Sequence, residues 1–106
     1  MNFETLIFTM ENSVATITIN RPNDANAMNL QLAKELAQAA MACDQNPGVR
    51  AVILTGTGKM FSAGGDLASF ADAGDNVGSA LKELTTYLHG AISTFARMNA
   101  PLIVAV

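Results

Sequence analysis

The sequence predicts an α/β fold in which an antiparallel hairpin is followed by parallel strands joined by crossover helices. Two short runs rich in β-branched residues, 5–10 and 14–19, lie near the start of the chain. Two longer segments with apolar residues at helical spacing follow, and each of them precedes a short apolar run. Strands that alternate with helices along a chain are typical of parallel pairing, with each helix crossing the sheet in the right-handed sense.

The first two runs are spaced as a β-hairpin. Residues 11–13 separate them, and the Glu-Asn-Ser composition of this segment favours a tight turn. The second run alternates strictly, as a strand with two different faces does. One face carries Val14, Thr16 and Thr18, and the other carries Ala15, Ile17 and Ile19.

The first helix is predicted over residues 30–45. Pro22 and the Asn and Asp residues beside it end the hairpin, and Asn29 is suited to cap the helix N-terminus. The Asn-Pro-Gly sequence at residues 46–48 ends the helix. Its predicted buried face consists of Leu32, Ala33, Leu36, Ala37, Ala40 and Met41.

The second half of the chain repeats the order of strand and helix. Residues 50–55 and 102–106 are apolar runs that predict two buried strands. Between them, residues 71–79 are small, polar and glycine-bearing, which predicts an exposed and mobile loop. A second helix is predicted over residues 80–97. Its apolar stripe consists of Leu81, Leu84, Leu88, Ala91, Ile92 and Phe95.

Composition argues against several classes of function. The chain has 106 residues, of which 50% are apolar, and a formal net charge of -3, so a nucleic-acid partner is not expected. No apolar run in the sequence reaches the roughly 18–20 residues of a membrane span. Cys43 has no disulfide partner and is predicted to pack as a small core hydrophobe, and no cluster of side chains suggests a metal site. The first residues resemble neither a signal nor a transit sequence, so a cytoplasmic protein is expected, and a processed organellar form would look the same.

The glycine-rich loop after the strand at 50–55 is the stretch best suited to chemistry. It reads Gly-Thr-Gly-Lys-Met-Phe-Ser-Ala-Gly-Gly-Asp-Leu over residues 56–67. Three interpretations compete: a plain turn into a helix, a phosphate-binding loop, and an oxyanion hole formed by a backbone N–H. The phosphate loop fails because Met60 follows Lys59 where Ser or Thr is required, and the dinucleotide fingerprint fails because Phe61 stands where a small residue is needed.

Three motifs resemble those of the enoyl-CoA hydratase/isomerase (crotonase) superfamily. Residues 61–67, Phe-Ser-Ala-Gly-Gly-Asp-Leu, are similar to the signature loop of that superfamily. Residues 17–29, which contain Arg-Pro and then Asn-Ala-Met-Asn, resemble its first acyl-CoA contact. Residues 101–106 resemble the strand that leads to its second glycine-rich loop. The resemblance implies the N-terminal part of the crotonase-like spiral of ββα units, a fold shared with ClpP.

The resemblance also implies a substrate and a set of contacts. The substrate would be an acyl-CoA thioester, so coenzyme A belongs to the substrate and no separate cofactor is expected. Two backbone N–H groups would hold the oxygen of an enolate, and Gly65 would supply the first of them. The implied substrate contacts are Ala25, Asn26, Ala27, Ala63, Gly64, Asp66 and Leu67.

Charged side chains near the loop have competing interpretations. Asp66 could act as an acid or base, but its place at a helix start favours a capping role. Lys59 and Arg21 are candidates for the CoA phosphates, although a lone surface cation is more often only solvated. His89 is the only histidine, and its place beside the second apolar stripe favours a packing or surface role over catalysis.

Several functions remain open. The first is a lyase or isomerase of enoyl-CoA hydratase/isomerase type, forming a homotrimer or hexamer, whose remaining catalytic groups lie beyond this sequence. The apolar end at residues 102–106 leads us to expect that residues 1–106 are the N-terminal part of one longer domain, inactive alone. The alternatives are a non-catalytic acyl-CoA binding or assembly module and, with no nucleophile elbow to support it, a peptidase.

Overall fold

The computed structural model describes residues 2–106, and this part of the chain contains one four-stranded sheet. The strands β1, β2, β3 and β4 lie side by side in chain order. The first pair is antiparallel and the two later pairs are parallel, which confirms the predicted fold class. The strands are β1 (Leu6–Glu11), β2 (Val14–Ile19), β3 (Ala51–Gly56) and β4 (Leu102–Val104).

Three α-helices connect and flank these strands. They are α1 (Leu30–Gln45), α2 (Leu67–Ala73) and α3 (Val77–Arg97), and short 3-10 turns lie at Pro22–Asp24 and Gly74–Asn76. Helix α1 joins β2 to β3, and α2 and α3 lie between β3 and β4. Helices α1 and α3 also pack against each other. None of the helices in residues 2–106 has both the length and the apolar character needed to cross a membrane.

The predicted hairpin is confirmed, but its turn has two residues, because Glu11 belongs to β1. Asn12 and Ser13 have φ angles of 52° and 67°, and the strand residues paired on either side of them are Glu11 and Val14. Positive φ at both central residues is the requirement of a type I′ turn, whose twist matches that of the flanking strands. The alternation of β2 is also confirmed, because Ala15, Ile17 and Ile19 are buried in the core.

Helix α1 begins where the capping signal predicts. The Asn29 side chain accepts a hydrogen bond from the Leu32 N–H at 2.9 Å. The predicted burial of Cys43 is confirmed, but Met41, which was expected on the buried face, is 47% exposed. This face consists of Leu32, Ala33, Glu35, Leu36, Ala39, Ala40 and Cys43.

The buried face of α1 also contains a carboxylate. Glu35 is 3% exposed, and its Oε1 accepts from the Thr5 N–H at 2.8 Å and the Glu4 N–H at 3.0 Å. Its Oε2 accepts from Gln31 Nε2 at 2.6 Å. Burial raises the pKa of Glu35, but the hydrogen bonds from Gln31, Thr5 and Glu4 outweigh that effect and hold it below its usual value. The segment before β1 is thereby tied to α1.

Two predictions for the second half of the chain were wrong in part. The exposure expected of residues 71–79 is confirmed, but most of these residues are helical and not a loop: α2 continues to Ala73 and α3 begins at Val77. Gly74, with φ of 55°, lies at the junction, so this glycine separates two helices instead of opening a loop. Strand β4 is shorter than expected and is not buried, because it lies at the edge of the sheet and leaves Ile103 55% exposed.

Candidate functional site

Two segments form the site: residues 21–28, here called the clamp segment, and residues 57–66, here called the glycine loop. The Met28 N–H donates to the Gly64 carbonyl at 2.6 Å, and the Asp66 N–H donates to the Met28 carbonyl at 2.9 Å. These bonds form a parallel bridge between Met28 and Gly65. The end of the glycine loop is therefore fixed by backbone hydrogen bonds on both sides of Gly65.

This bridge determines where the Gly65 N–H points. The Gly64 carbonyl and the Gly65 N–H belong to one peptide group, and no peptide bond in the described residues is cis. A planar trans peptide directs its C=O and N–H to opposite sides. Because the Gly64 carbonyl points to Met28, the Gly65 N–H points away from it, and no acceptor for it occurs among residues 2–106. Gly65 is exposed, so this N–H is available to a ligand.

The local conformation explains why glycine occupies both positions. Gly64 has φ of 97°, a conformation that side chains disfavour. At Gly65 an added Cβ would lie 2.8 Å from Cε2 and 3.1 Å from Cζ of Phe70. The Phe70 ring thus occupies the space that a side chain at position 65 would need.

Asn26 joins the clamp segment to the first half of the glycine loop. Its Nδ2 donates to the carbonyls of Thr57 at 2.8 Å and Met60 at 2.7 Å, and its Oδ1 accepts from the Arg21 N–H at 2.8 Å. The Asn26 carbonyl accepts from Ser62 Oγ at 2.8 Å. Asn26 is only 1% exposed, so its polar groups serve the loop and offer little to a ligand.

Asp66 ends the glycine loop and caps α2, as its position predicts. Its Oδ1 accepts from the Ser69 N–H at 3.2 Å, and its Oδ2 accepts from Arg21 Nη2 at 3.0 Å. The Ser69 N–H and the Arg21 guanidinium hold the pKa of Asp66 below its usual value, although burial opposes them. A carboxylate bonded in this way is a weak base, which disfavours an acid or base role for Asp66.

Arg21 does not match the role considered for it from sequence. Its side chain is 13% exposed and pairs with Asp24 and Asp66, and its Nη1 donates to the Ala27 carbonyl. A guanidinium paired with carboxylates inside the protein is poorly placed to bind a CoA phosphate. The alternative of a solvated surface cation is wrong for Arg21, and its pairing with carboxylates disfavours a contact with phosphate.

Two cavities lie near these elements. A cavity of about 420 Å³ lies between α3 and the sheet, and it is lined almost entirely by apolar atoms from residues that include Phe61, Leu88 and Leu102. A second cavity of about 320 Å³ lies where the clamp segment meets the glycine loop. It is lined by Pro22, Ala25, Thr57, Gly58, Lys59 and Met60. Gly65 lines neither of these cavities.

Comparison with known proteins assigns this arrangement to a family. The family model for enoyl-CoA hydratase/isomerase matches residues 9–106. The chain belongs to the enoyl-CoA hydratase/isomerase family. This membership confirms the resemblance that the three sequence motifs indicate.

Individual members of the enoyl-CoA hydratase/isomerase family agree with this assignment. A probable enoyl-CoA hydratase of Mycobacterium bovis is 40% identical over 72 residues, which are 68% of this chain and 28% of the relative. Enoyl-CoA delta isomerase 2 of Homo sapiens is 32% identical over 105 residues, or 98% of this chain and 26% of the relative. A crystal structure of an enoyl-CoA hydratase/isomerase from Xanthobacter autotrophicus Py2 matches with a TM-score of 0.87 and 30% identity, covering 99% of this chain and 39% of that one. The chain therefore spans less than half the length of these relatives.

The residues predicted from the hydratase/isomerase motifs divide into two groups. Ala63, Gly64, Gly65 and Leu67 are exposed along the outer side of the glycine loop and at the start of α2. Ala25, Asn26, Ala27 and Asp66 lie further in, and of these Ala25 lines the smaller cavity. Direct contact of each residue with substrate stays a prediction.

Sequence reasoning missed residues that hold the site. Ser62 and Phe70 contribute to it, and Arg21 contributes in a different role from the one predicted. Ser62 offers a local signal, because a Ser hydroxyl near glycines often bonds the backbone two residues on, as it does here to the Gly64 N–H at 3.2 Å. The partners of Arg21 and Phe70 have no comparable local signal.

Proposed function

We propose that this chain binds an acyl-CoA thioester and that the Gly65 N–H donates a hydrogen bond to the thioester carbonyl oxygen. The observation that carries the proposal is the direction of this N–H, which has no acceptor among residues 2–106 and points away from Met28. When a proton is lost from the α carbon or a nucleophile adds at the β carbon, negative charge develops on that oxygen. A donor already aimed at it stabilises the charged state without further reorganisation.

The rigidity of the loop supports this role. The peptide that carries the Gly65 N–H also bonds Met28 through its carbonyl, and the next peptide bonds Met28 through its N–H. Loss of one oxyanion-hole donor typically lowers kcat by about 10²–10³-fold. We infer that the bridge to Met28 keeps this donor in position before substrate binds.

We also propose that the smaller cavity receives part of the coenzyme A. Ala25 contributes only a methyl group to its wall, which leaves room for a flat ring beside the backbone. Lys59 lines the same cavity and is exposed, so its ammonium can approach a phosphate. Lys59 thus remains the candidate for the phosphate contact that Arg21 does not fit.

We propose the reaction class that the family name gives, hydratase or isomerase. No residue of this chain is assigned the transfer of the proton. Asp66 is the acidic residue next to Gly65, and its carboxylate is hydrogen-bonded to Arg21 and to the Ser69 N–H.

A homotrimer or homohexamer is our proposal for the intact protein, to be measured by light scattering. Other matched proteins include a trans-2-decenoyl-[acyl-carrier-protein] isomerase of Streptococcus mutans, so binding should also be tested with an acyl carrier protein thioester.

Calorimetry with the full chain tests the proposal. We expect saturable binding of crotonyl-CoA and acetoacetyl-CoA, and weaker binding of free CoA, which lacks the thioester carbonyl. Gly65→Pro removes the donor, because proline has no N–H. Gly90→Ala is the matched control, since an added methyl group at position 90 meets no atom within 4 Å. If wild-type protein binds none of the thioesters, the proposed function is wrong.

The second candidate is a non-catalytic acyl-CoA binding or assembly module. It is favoured by the commitment of the Asp66 carboxylate to structural bonds, which leaves the carboxyl group adjacent to Gly65 unsuited to proton transfer. Hydration of crotonyl-CoA, followed through loss of the conjugated thioester absorption, distinguishes the two candidates. Because residues 1–106 alone are expected to be inactive, the assay uses a protein with the full length of the matched relatives. Binding without turnover by that protein favours the module, and turnover favours the enzyme.

A further inference from the structure

We propose that Arg21 is a positioning residue that holds the Gly65 N–H in place through its ion pair with Asp66. This inference rests on the proposed role of Gly65. It replaces the idea that Arg21 binds a CoA phosphate with a role that its contacts support. Arg21 itself need not touch substrate.

The contacts of Arg21 converge on the junction of the two segments. Its Nη2 lies 3.0 Å from Asp66 Oδ2 and 3.2 Å from Asp24 Oδ2, and its Nη1 donates to the Ala27 carbonyl. Both members of the pair with Asp66 are largely withdrawn from solvent, at 13% and 12% side-chain exposure, whereas Asp24 is 59% exposed. The pair with Asp66 is therefore the stronger of the two, because solvent and salt screen it less.

The ion pair acts on the residue that follows the donor. Asp66 is bonded to Gly65, and its own N–H donates to the Met28 carbonyl at 2.9 Å. Arg21 and Met28 both belong to the clamp segment, so Asp66 is held by that segment through its side chain and through its backbone. Movement of Asp66 away from the clamp segment would have to break both attachments. Removing Arg21 leaves only the backbone attachment.

Lysine is not expected to replace Arg21. The guanidinium presents several N–H donors in a fixed plane, and here it bonds two carboxylates and a carbonyl together. A lysine ammonium on a flexible stem keeps the charge but cannot reproduce this planar arrangement. The order of the amide exchange rates in wild type, Arg21→Lys and Arg21→Gln therefore reports on the geometry of the contacts as well as on the charge.

Amide hydrogen exchange followed by NMR tests the attachment without any ligand. In Arg21→Gln we expect the amides of Met28 and Asp66 to exchange about tenfold faster, because a charge-assisted hydrogen bond that restrains them is gone. Arg21→Lys should lie between this variant and wild type. Arg50→Gln is the control, since Arg50 is an exposed arginine outside the two segments. Unchanged exchange in Arg21→Gln overturns the inference.

Asp66→Asn provides an independent variant in case Arg21→Gln fails to fold. Asparagine is as good a helix cap as aspartate, so the bond to the Ser69 N–H can persist while the charge that pairs with Arg21 is lost. We expect the same faster exchange of the backbone amides at positions 28 and 66, and no additional effect in the double variant with Arg21→Gln. Fully additive effects would mean that the two residues act separately, against the inference.

The carbonyl signal of a bound thioester separates this inference from the proposed function. In wild-type protein, the ¹³C resonance of a carbonyl-labelled butyryl-CoA should move downfield on binding, as a polarised carbonyl does. Arg21→Gln should lose most of that shift, and its affinity for butyryl-CoA should fall towards that for free CoA. Its affinity for free CoA should stay unchanged, since the proposed role of Arg21 is to position the donor to the thioester carbonyl. A full shift in Arg21→Gln rejects the positioning role and leaves the proposed function intact. Absence of any shift in the bound wild-type complex rejects the role of Gly65 itself.

Discussion

Replacing Glu35 with Gln tests how strongly one buried carboxylate holds the start of the sheet to α1. The carboxylate accepts from the backbone N–H groups of Glu4 and Thr5, from Thr5 Oγ1 at 2.9 Å and from Gln31 Nε2. The substitution keeps the size of the side chain and removes the charge. It also replaces one acceptor oxygen with an amide that donates.

The expected loss follows from these contacts. A hydrogen bond to a charged group contributes about 1.5–3 kcal/mol, against roughly 1 kcal/mol for a neutral one. If the amide oxygen at position 35 keeps the Thr5 donors, its NH₂ faces the Gln31 donor, whose nitrogen lies 2.6 Å from Oε2 in the wild type. One charged bond is then lost outright and the others become neutral. We expect the free energy of unfolding to fall by about 2–3 kcal/mol.

The pH dependence of the free energy of unfolding provides a second test of the role of Glu35. The folded-state pKa of Glu35 lies below its ordinary value of 4.5, so its stabilisation is fully present above pH 4.5 and is lost as pH falls through the folded pKa. The free energy of unfolding of wild-type protein, measured by urea titration, should therefore decrease below pH 4.5. Glu35→Gln should lack this part of the decline, while the part due to Asp66 remains in both proteins.

Glu83→Gln is the matched control, because Glu83 is an exposed residue of α3. It should change the free energy of unfolding little. The reasoning is refuted if Glu35→Gln unfolds at the same urea concentration as wild type and shows the same acid dependence.

Three further substitutions or reactions probe the packing. Gly56→Ala places Cβ 2.6 Å from the Phe61 carbonyl oxygen and 2.9 Å from Asn26 Nδ2, so urea denaturation should show a loss of about 1–3 kcal/mol, and an unchanged midpoint contradicts this. Gly90→Ala meets no atom within 4 Å and should gain about 1 kcal/mol from helix propensity; a lower Tm would oppose it. Cys43 is buried, and burial raises the pKa of its thiol, so maleimide should label it only after denaturation, whereas rapid labelling of native protein would count against its burial.

Much of the fold could be predicted because its signals are local. The hairpin turn needs positive φ at Asn12 and Ser13, and Asn accepts that conformation readily. The Asn29 and Asp66 caps each bond an N–H three residues further on, to Leu32 and Ser69. Such interactions depend only on residues close in sequence, so their pattern can be recognised without a structure.

The mistaken predictions concern interactions between distant residues. Met41 was expected on the buried face of α1 because its spacing is helical, but it is 47% exposed, because which flank of a helix is covered depends on the elements that pack against it. The helical residues before and after Gly74 were expected to form a loop because small and polar residues also occur in loops. Exposure of β4 depends on which elements cover it, a property that its own apolar sequence does not contain.

The candidate site likewise has features that local sequence predicts and features that depend on contacts between distant residues. The amino-acid sequence by itself determined the family, the order of strands and helices, and the glycine pair, of which Gly64 meets a positive-φ requirement that few other residues satisfy. Only the tertiary structure decided that the Gly65 N–H has no acceptor within residues 2–106 and that Arg21 pairs with Asp66, 45 residues away. The physical reason is that the direction of an amide and the partner of a charge are set by whichever segment packs beside them, and no local pattern specifies that segment.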